Sequence, residues 1–154
     1  MDTQTGAGCI FMNNNLILGG YQKNTISGIG GCMELNENIY ENAYRETIEE
    51  LYDITEIDKT LINDIINMIK PLKILDKHRY KILIHTFEDL EIIIRKCINI
   101  KSKLYDSQPN NIQELILNRK YKNDSEIKQL VLLPIIQNIT INEYFMDDIR
   151  QLII

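Results

Sequence analysis

The sequence predicts an α/β fold, and three observations carry that reading. Short runs rich in Ile, Leu and aromatic residues are bounded by Asn, Gly and Pro punctuation, as strands are. Between them lie longer stretches whose apolar residues recur at helical spacing, Leu61, Ile62, Ile65, Ile66 and Ile69 being the plainest case. With 154 residues, 44% of them hydrophobic and 25% charged, the chain can bury one sizeable core.

In order along the chain, Ala7 to Met12 reads as a strand, Asn13-Asn14-Asn15 as a turn, and Leu16 to Tyr21 as the second strand of a hairpin. Ile26 to Ile29 is a short extended approach to Gly30-Gly31. A helix is predicted from Ile39 to Leu51. Thr55-Glu56-Ile57-Asp58 has the form of a cap ahead of a second helix over 58–70, which Pro71 ends. Leu72 to Leu75 and Tyr80 to Phe87 read as strands around the polar turn Asp76-Lys77-His78. Helices are expected over Glu88 to Tyr105 and Asn111 to Lys120, then a strand from Glu126 to Leu133 ended by Pro134, then a closing helix from Ile141 to Ile153. There are no internal repeats and no linker-like tract, so one domain over 1–154 is expected.

Composition excludes several classes. No run of eighteen apolar residues is present to cross a membrane, and MDTQTGAG lacks the basic and apolar regions of a secretory signal. Cys9, Cys32 and Cys97 are odd in number and have no metal-ligand spacing; they fit free thiols in a reducing, cytoplasmic setting, with Cys32 expected to be at least half-buried. Charge is segregated: residues 1–69 carry a net −8, residues 70–122 a net +6 and the remainder −3. The basic middle, densest at Lys73, Lys77, His78, Arg79 and Lys81, can serve phosphates or an RNA backbone, or be ordinary solvated surface. His85 alternates with Leu83 and Phe87 and reads as a packed residue.

The chemistry concentrates between Gly31 and Asp53. Glu46, Glu49 and Glu50 stand at i, i+3 and i+4, which places three carboxylates on one helix face. Like charges so arranged repel unless a cation neutralises them. Oxygen ligands without His or Cys suit Mg2+ or Mn2+ rather than zinc.

Read as spacing, the segment is Gly31, five residues, Glu37, seven residues, then Arg45-Glu46-Thr47-Ile48-Glu49-Glu50. It resembles the Nudix box, G-x5-E-x7-R-E-U-x-E-E-x-G-U, over 31–53, with Gly30 supplying the glycine pair that usually opens it. Tyr52 stands where that family has glycine, Asp53 where it has an aliphatic residue, and Thr47 is a mild departure. The family glycine ends a helix, so either Tyr52 tolerates a left-handed conformation or the helix runs on and stops near Asp53. The resemblance is tight over the box and loose elsewhere. It implies a Nudix-type α/β/α sandwich with a mixed central sheet, in which 58–70 is a helical insertion. It implies metal ligation by the Gly30 carbonyl and by Glu46, Glu49 and Glu50, and an ion pair between Glu37 and Arg45 that holds the loop on the helix. Glu126, in a stretch that resembles the family's late strand, is a further ligand or base. The catalytic set so implied is Glu49, Glu46, Arg45 and Glu126.

The expected activity is Mg2+- or Mn2+-dependent hydrolysis of the diphosphate linkage in a nucleoside diphosphate joined to another group, with a small nucleotide favoured as substrate. Two alternatives stand beside it: hydrolysis of an mRNA 5' cap or RNA 5' end (decapping), for which capped RNA is the partner, and a non-catalytic nucleotide-binding protein on the same fold. No membrane partner is expected.

Overall fold

A computed structural model describes residues 3–134 and Tyr144. The described residues form a mixed α/β structure of seven strands and four helices. Strand β1 (Gly6–Met12) is central. It pairs in parallel with β6 (Tyr80–Thr86) on one side, and antiparallel with β4 (Ile29–Cys32) and β2 (Leu16–Gln22) on the other. Beyond β6 lies β5 (Lys73–Lys77); beyond β2 lies β7 (Gln129–Pro134), while β3 (Thr25–Ser27) pairs with the end of β2 on the edge that faces β1. One parallel pair among antiparallel ones makes the sheet mixed, as expected.

The register explains the faces. Cys9 stands opposite Leu83 and Phe11 opposite His85, so Ala7, Cys9, Phe11, Leu83 and His85 share one side of the sheet. All five are buried, and the four described helices pack on that side. Helix α1 (Ile39–Tyr52) lies over β1, β4 and β6; α2 (Lys59–Met68) packs beside it, α3 (Phe87–Lys96) packs on α2, β1 and β6, and α4 (Ile112–Leu117) closes toward β7. Ala43, Tyr44, Ile48 and Leu51 of α1 meet Ile65 and Ile93 in a single core. The closing helix expected over 141–153 lies outside the described residues.

Several boundaries move, each for a local reason. The strand approach continues through Gly30-Gly31 to Cys32, because residues 29–32 pair with β1. Cys32 is exposed rather than half-buried, on the sheet side away from the helices. Helix α2 is capped by Asp58, whose side chain accepts from the Thr60 amide, and not by Thr55. Helix α3 ends at Lys96 instead of reaching Tyr105. There the Cys97 amide is shared by the Ile93 and Ile94 carbonyls, and Ser102, Leu104 and Tyr105 fold into the core as irregular chain. Helix α4 is shorter than expected and is capped by Asn111. Strand β7 starts at Gln129, leaving Glu126 ahead of it, and includes Pro134, which a strand paired on one side tolerates. The Asn triplet does make the turn: Asn13 Oδ1 accepts from the Asn15 and Leu16 amides at 2.8 and 2.7 Å.

Candidate active site

Helix α1 holds most of the site, and its first turn is fixed by a capping box. Asn38 Oδ1 accepts from the Glu41 amide at 2.9 Å, and Glu41 Oε1 accepts from the Asn38 amide at 3.2 Å. At the other end the helix runs one residue further than the sequence pattern requires. Tyr52 is helical and fully buried, and Asp53 takes the left-handed conformation at φ 52°, ψ 53°. Asp tolerates that region better than most residues, so the stop moves one position along the chain.

Arg45 is the hub. Its Nε and Nη2 clasp Glu37 Oε2 and Oε1 at 2.6 and 3.0 Å, so the expected Glu37–Arg45 pair is present and bidentate. Nη2 also donates to the Cys32 carbonyl at 2.8 Å, and Nη1 to Glu46 Oε1 at 2.9 Å and Glu49 Oε2 at 3.1 Å. Arg45 is 7% exposed. These carboxylates hold its guanidinium even further above its ordinary range, the Glu37 hydrogen bond foremost. Glu37 is held below the usual carboxylate value: burial opposes its charge, but hydrogen bonds from Arg45 and from the Glu34 amide outweigh that.

The carboxylates behind Arg45 are crowded. Glu50 is buried, and its pKa is pushed up to about 8 by burial first, then by the charges of Glu126 and Glu46. The Gly30 amide donates to Glu50 Oε2 at 3.3 Å and offsets part of this. Glu46 and Glu49 are raised as well, burial again being the largest cause. Glu46, Glu49, Glu50 and Glu126 line one cavity of about 140 Å³. A neighbouring cleft of about 290 Å³ is lined by Glu34, Glu37, Glu41 and Glu56 with Arg45 and Lys59. So acidic a lining repels phosphate unless cations accompany it.

The glycine pair gives these groups room. A Cβ on Gly31 would collide with the Glu46 carboxylate. A Cβ on Gly30 would meet the Tyr80 hydroxyl and Gly8. The Tyr80 ring lies across β1 over Gly6 and Gly8, with its hydroxyl above Gly30, on the face away from α1.

Of the residues the sequence singles out, Arg45, Glu46, Glu49, Glu50, Glu126 and Gly30 come together. Among the described residues, however, no three His, Cys, Asp or Glu side chains already converge as ligands to one ion. The reason is visible: Arg45 Nη1 takes Glu46 and Glu49, and the Gly30 amide takes Glu50. The donor set fits a hard divalent cation in type, and a cation would compete with Arg45 for two of its members.

Three contributors escape the sequence reading. Asn42 Nδ2 reaches the Gly31 and Cys32 carbonyls at 3.4 and 3.3 Å; it lies three residues before Arg45 on the same helix face, a spacing that could have found it. Arg119 donates to the carbonyls of Glu50, Leu51 and Ile127, and Ser102 to that of Tyr52 at 2.6 Å. Neither Arg119 nor Ser102 leaves a local signal, since each acts across the chain. His85 is a core residue: its Nε2 meets the Tyr44 hydroxyl at 2.9 Å and its Nδ1 meets Asp89 Oδ2 at 2.7 Å.

No family profile and no curated protein matches the sequence. Among solved structures, the chain is similar to a hydrolase of the Nudix family from Clostridium perfringens, at 14% identity and a TM-score of 0.39, over 91% of this chain and 90% of that one. Likeness at that level carries no argument about activity.

Proposed function

We propose that this chain is a Nudix-type hydrolase that splits the diphosphate linkage of a nucleoside diphosphate joined to another group. The observation that carries the reading is the convergence of Glu46, Glu49, Glu50 and Glu126 on one small cavity beside Gly30, braced by Arg45 and Glu37. A folded chain that crowds four carboxylates, and raises the pKa of one of them to about 8, is suited to a cation as partner.

Glu46, Glu49, Glu50 and Glu126, with the Gly30 carbonyl, would hold Mg2+ or Mn2+. Such an ion supplies charge neutralisation on the diphosphate oxygens and lowers the pKa of an attacking water. The chain's own groups do the rest. Arg45 fixes the carboxylates from behind through the Glu37 pair and the Cys32 carbonyl. A carboxylate of the set takes the proton from the water as its oxygen bonds to phosphorus and the bridging P–O bond breaks. Glu126, exposed and held by no hydrogen bond among the described residues, suits that role.

A small nucleotide is favoured over capped RNA. Of the five residues in the densest basic group, Lys81 is paired with Asp76 at 2.6 Å and Arg79 donates to the Thr3 carbonyl at 2.9 Å, so less of that group is open to an RNA backbone.

The test is Mg2+-dependent turnover on a mixed panel: nucleoside triphosphates including oxidised forms, dinucleoside polyphosphates, nucleotide sugars and cap-labelled RNA. Glu50→Gln should lower turnover by about a thousandfold, equivalent to about 4 kcal/mol. Release of m7GDP from RNA, with free nucleotides untouched, would move the assignment to decapping. Silence on every substrate, with ligand still bound, would move it to a binding protein.

A further inference from the structure

The C-terminal end of α1 presents a problem that the helix does not solve for itself. Its last turn carries no basic residue, yet its carbonyls form the negative end of the helix dipole beside a cluster of carboxylates. Arg119, far along the chain, answers it. Its Nη1 donates to the Leu51 carbonyl at 2.5 Å, and its Nη2 to the Glu50 carbonyl at 3.1 Å and the Ile127 carbonyl at 3.0 Å. One planar guanidinium therefore ties the backbone of Glu50 to the backbone of the residue that follows Glu126.

That link matters because of how Glu126 is held. Its carboxylate has no hydrogen bond or ion pair among the described residues, and it lies ahead of β7 rather than within it. Its position relative to Glu50 is thus set by backbone alone. Ile127 supplies the anchor on the core side, with its side chain buried against Gly20. Arg119 supplies the anchor on the α1 side.

We propose that Arg119 is a positioning residue for the carboxylate cluster: by joining the end of α1 to the Ile127 carbonyl, it fixes the spacing of Glu50 and Glu126. The assignment rests on the reading that these carboxylates hold a divalent cation. The three bonds come from two nitrogens of one rigid fork, which a single ammonium does not reproduce.

The experiment compares Arg119→Lys and Arg119→Met with two controls. Lys120→Met removes a contact from the same segment, the ion pair of Lys120 with Asp106. Ile93→Val lightens the core on α3, away from the site. All are checked for folding by thermal melts. Mn2+ affinity is then measured by electron paramagnetic resonance, and amide hydrogen exchange is measured without metal. Both Arg119 variants should bind Mn2+ at least about tenfold more weakly than the parent, as groups that orient metal ligands do. Their Asp53 and Ile54 amides, which donate to the Glu49 carbonyl, should exchange faster. Lys120→Met and Ile93→Val should keep the parent affinity. Parent-like Mn2+ binding by folded Arg119→Lys and Arg119→Met overturns the assignment alone. So does an equal loss in Ile93→Val, which would make the effect one of general stability. Absence of Mn2+ binding by the parent chain overturns the metal reading, and this assignment with it.

Discussion

Tyr52 shows how a single side chain can relocate a helix stop. It is buried and its ring packs against Tyr105 at 6.2 Å, while Asp53 takes the left-handed turn. Truncation to glycine would leave a large void, so Tyr52→Gly should destabilise by about 3–5 kcal/mol in denaturant titrations even though it restores the commoner residue of the pattern. The Tyr52 hydroxyl is buried beside Cys97 without a hydrogen-bond partner of ordinary geometry. Tyr52→Phe should therefore be neutral or stabilise by up to about 1 kcal/mol, and a loss above that size would mean the hydroxyl has a partner that matters. At this scale the sequence is half legible. The charged positions Glu37, Arg45, Glu46, Glu49 and Glu50 announce themselves by spacing. Arg119 and Ser102 do not, because a side chain that caps a helix some fifty to seventy residues away leaves no periodicity behind.

Helix α1 is the element on which the site depends, and its two ends are held by different means. The N-terminus is closed locally by Asn38 and Glu41. Replacing Asn38 by Ala should cost about 1 kcal/mol in global stability, measured by urea titration, with a smaller effect if water takes over the cap. The middle is held by Arg45. Arg45→Met would strand Glu37 and crowd Glu46 and Glu49 further, so it should destabilise the metal-free protein by about 3–5 kcal/mol; a cost under about 1 kcal/mol would show that the carboxylates relax into solvent. The legibility of elements follows the same division. Helix α1 is readable from the spacing of its charged residues and α2 from its apolar period and Pro71, while their caps, Asn38 and Asp58, are not. The end of α3 is not readable either. The stretch after Cys97 still has helical composition, but Ser102, Leu104 and Tyr105 gain more by packing under α1 than by extending α3. Strand β4 hid for a related reason: its glycines look like loop until β1 pairs with them.

Across the whole molecule, two buried groups give opposite pH responses. Glu50 has a folded pKa of about 8 against 4.5 for the free group, so the folded chain keeps a proton that the unfolded chain releases between those values. Its contribution to stability is full below about 4.5 and declines as pH rises to about 8, by at most about 1.4 kcal/mol per pH unit. His85 is lowered from 6.5 by burial, against the pull of Asp89. Its contribution is full above about 6.5 and is lost as pH falls. Thermal melts of the metal-free protein should therefore show stability falling from pH 7 toward 8, and Glu50→Gln should flatten that fall. Saturating Mg2+ should flatten it too, since a cation lets Glu50 ionise; an unchanged slope with Mg2+ would argue that Glu50 lies outside any ion's reach. The charge segregation seen in the sequence persists in space only in part, because the acidic third gathers along α1 while several basic residues are tied to carbonyls or acids.

The phenol lying over Gly6, Gly8 and Gly30 makes the protein its own optical probe. The chain has no tryptophan and only eight tyrosines, so ultraviolet difference spectra report phenol ionisation directly. Tyr80 is pushed up to about 12 by burial first and then by the charges of Glu50 and Glu46. A cation that silences those two charges changes the field at that ring, and the Tyr80→Phe difference spectrum at neutral pH isolates the resulting shift in tyrosine absorbance. Occupancy of the site can thus be followed by absorbance alone, without a substrate.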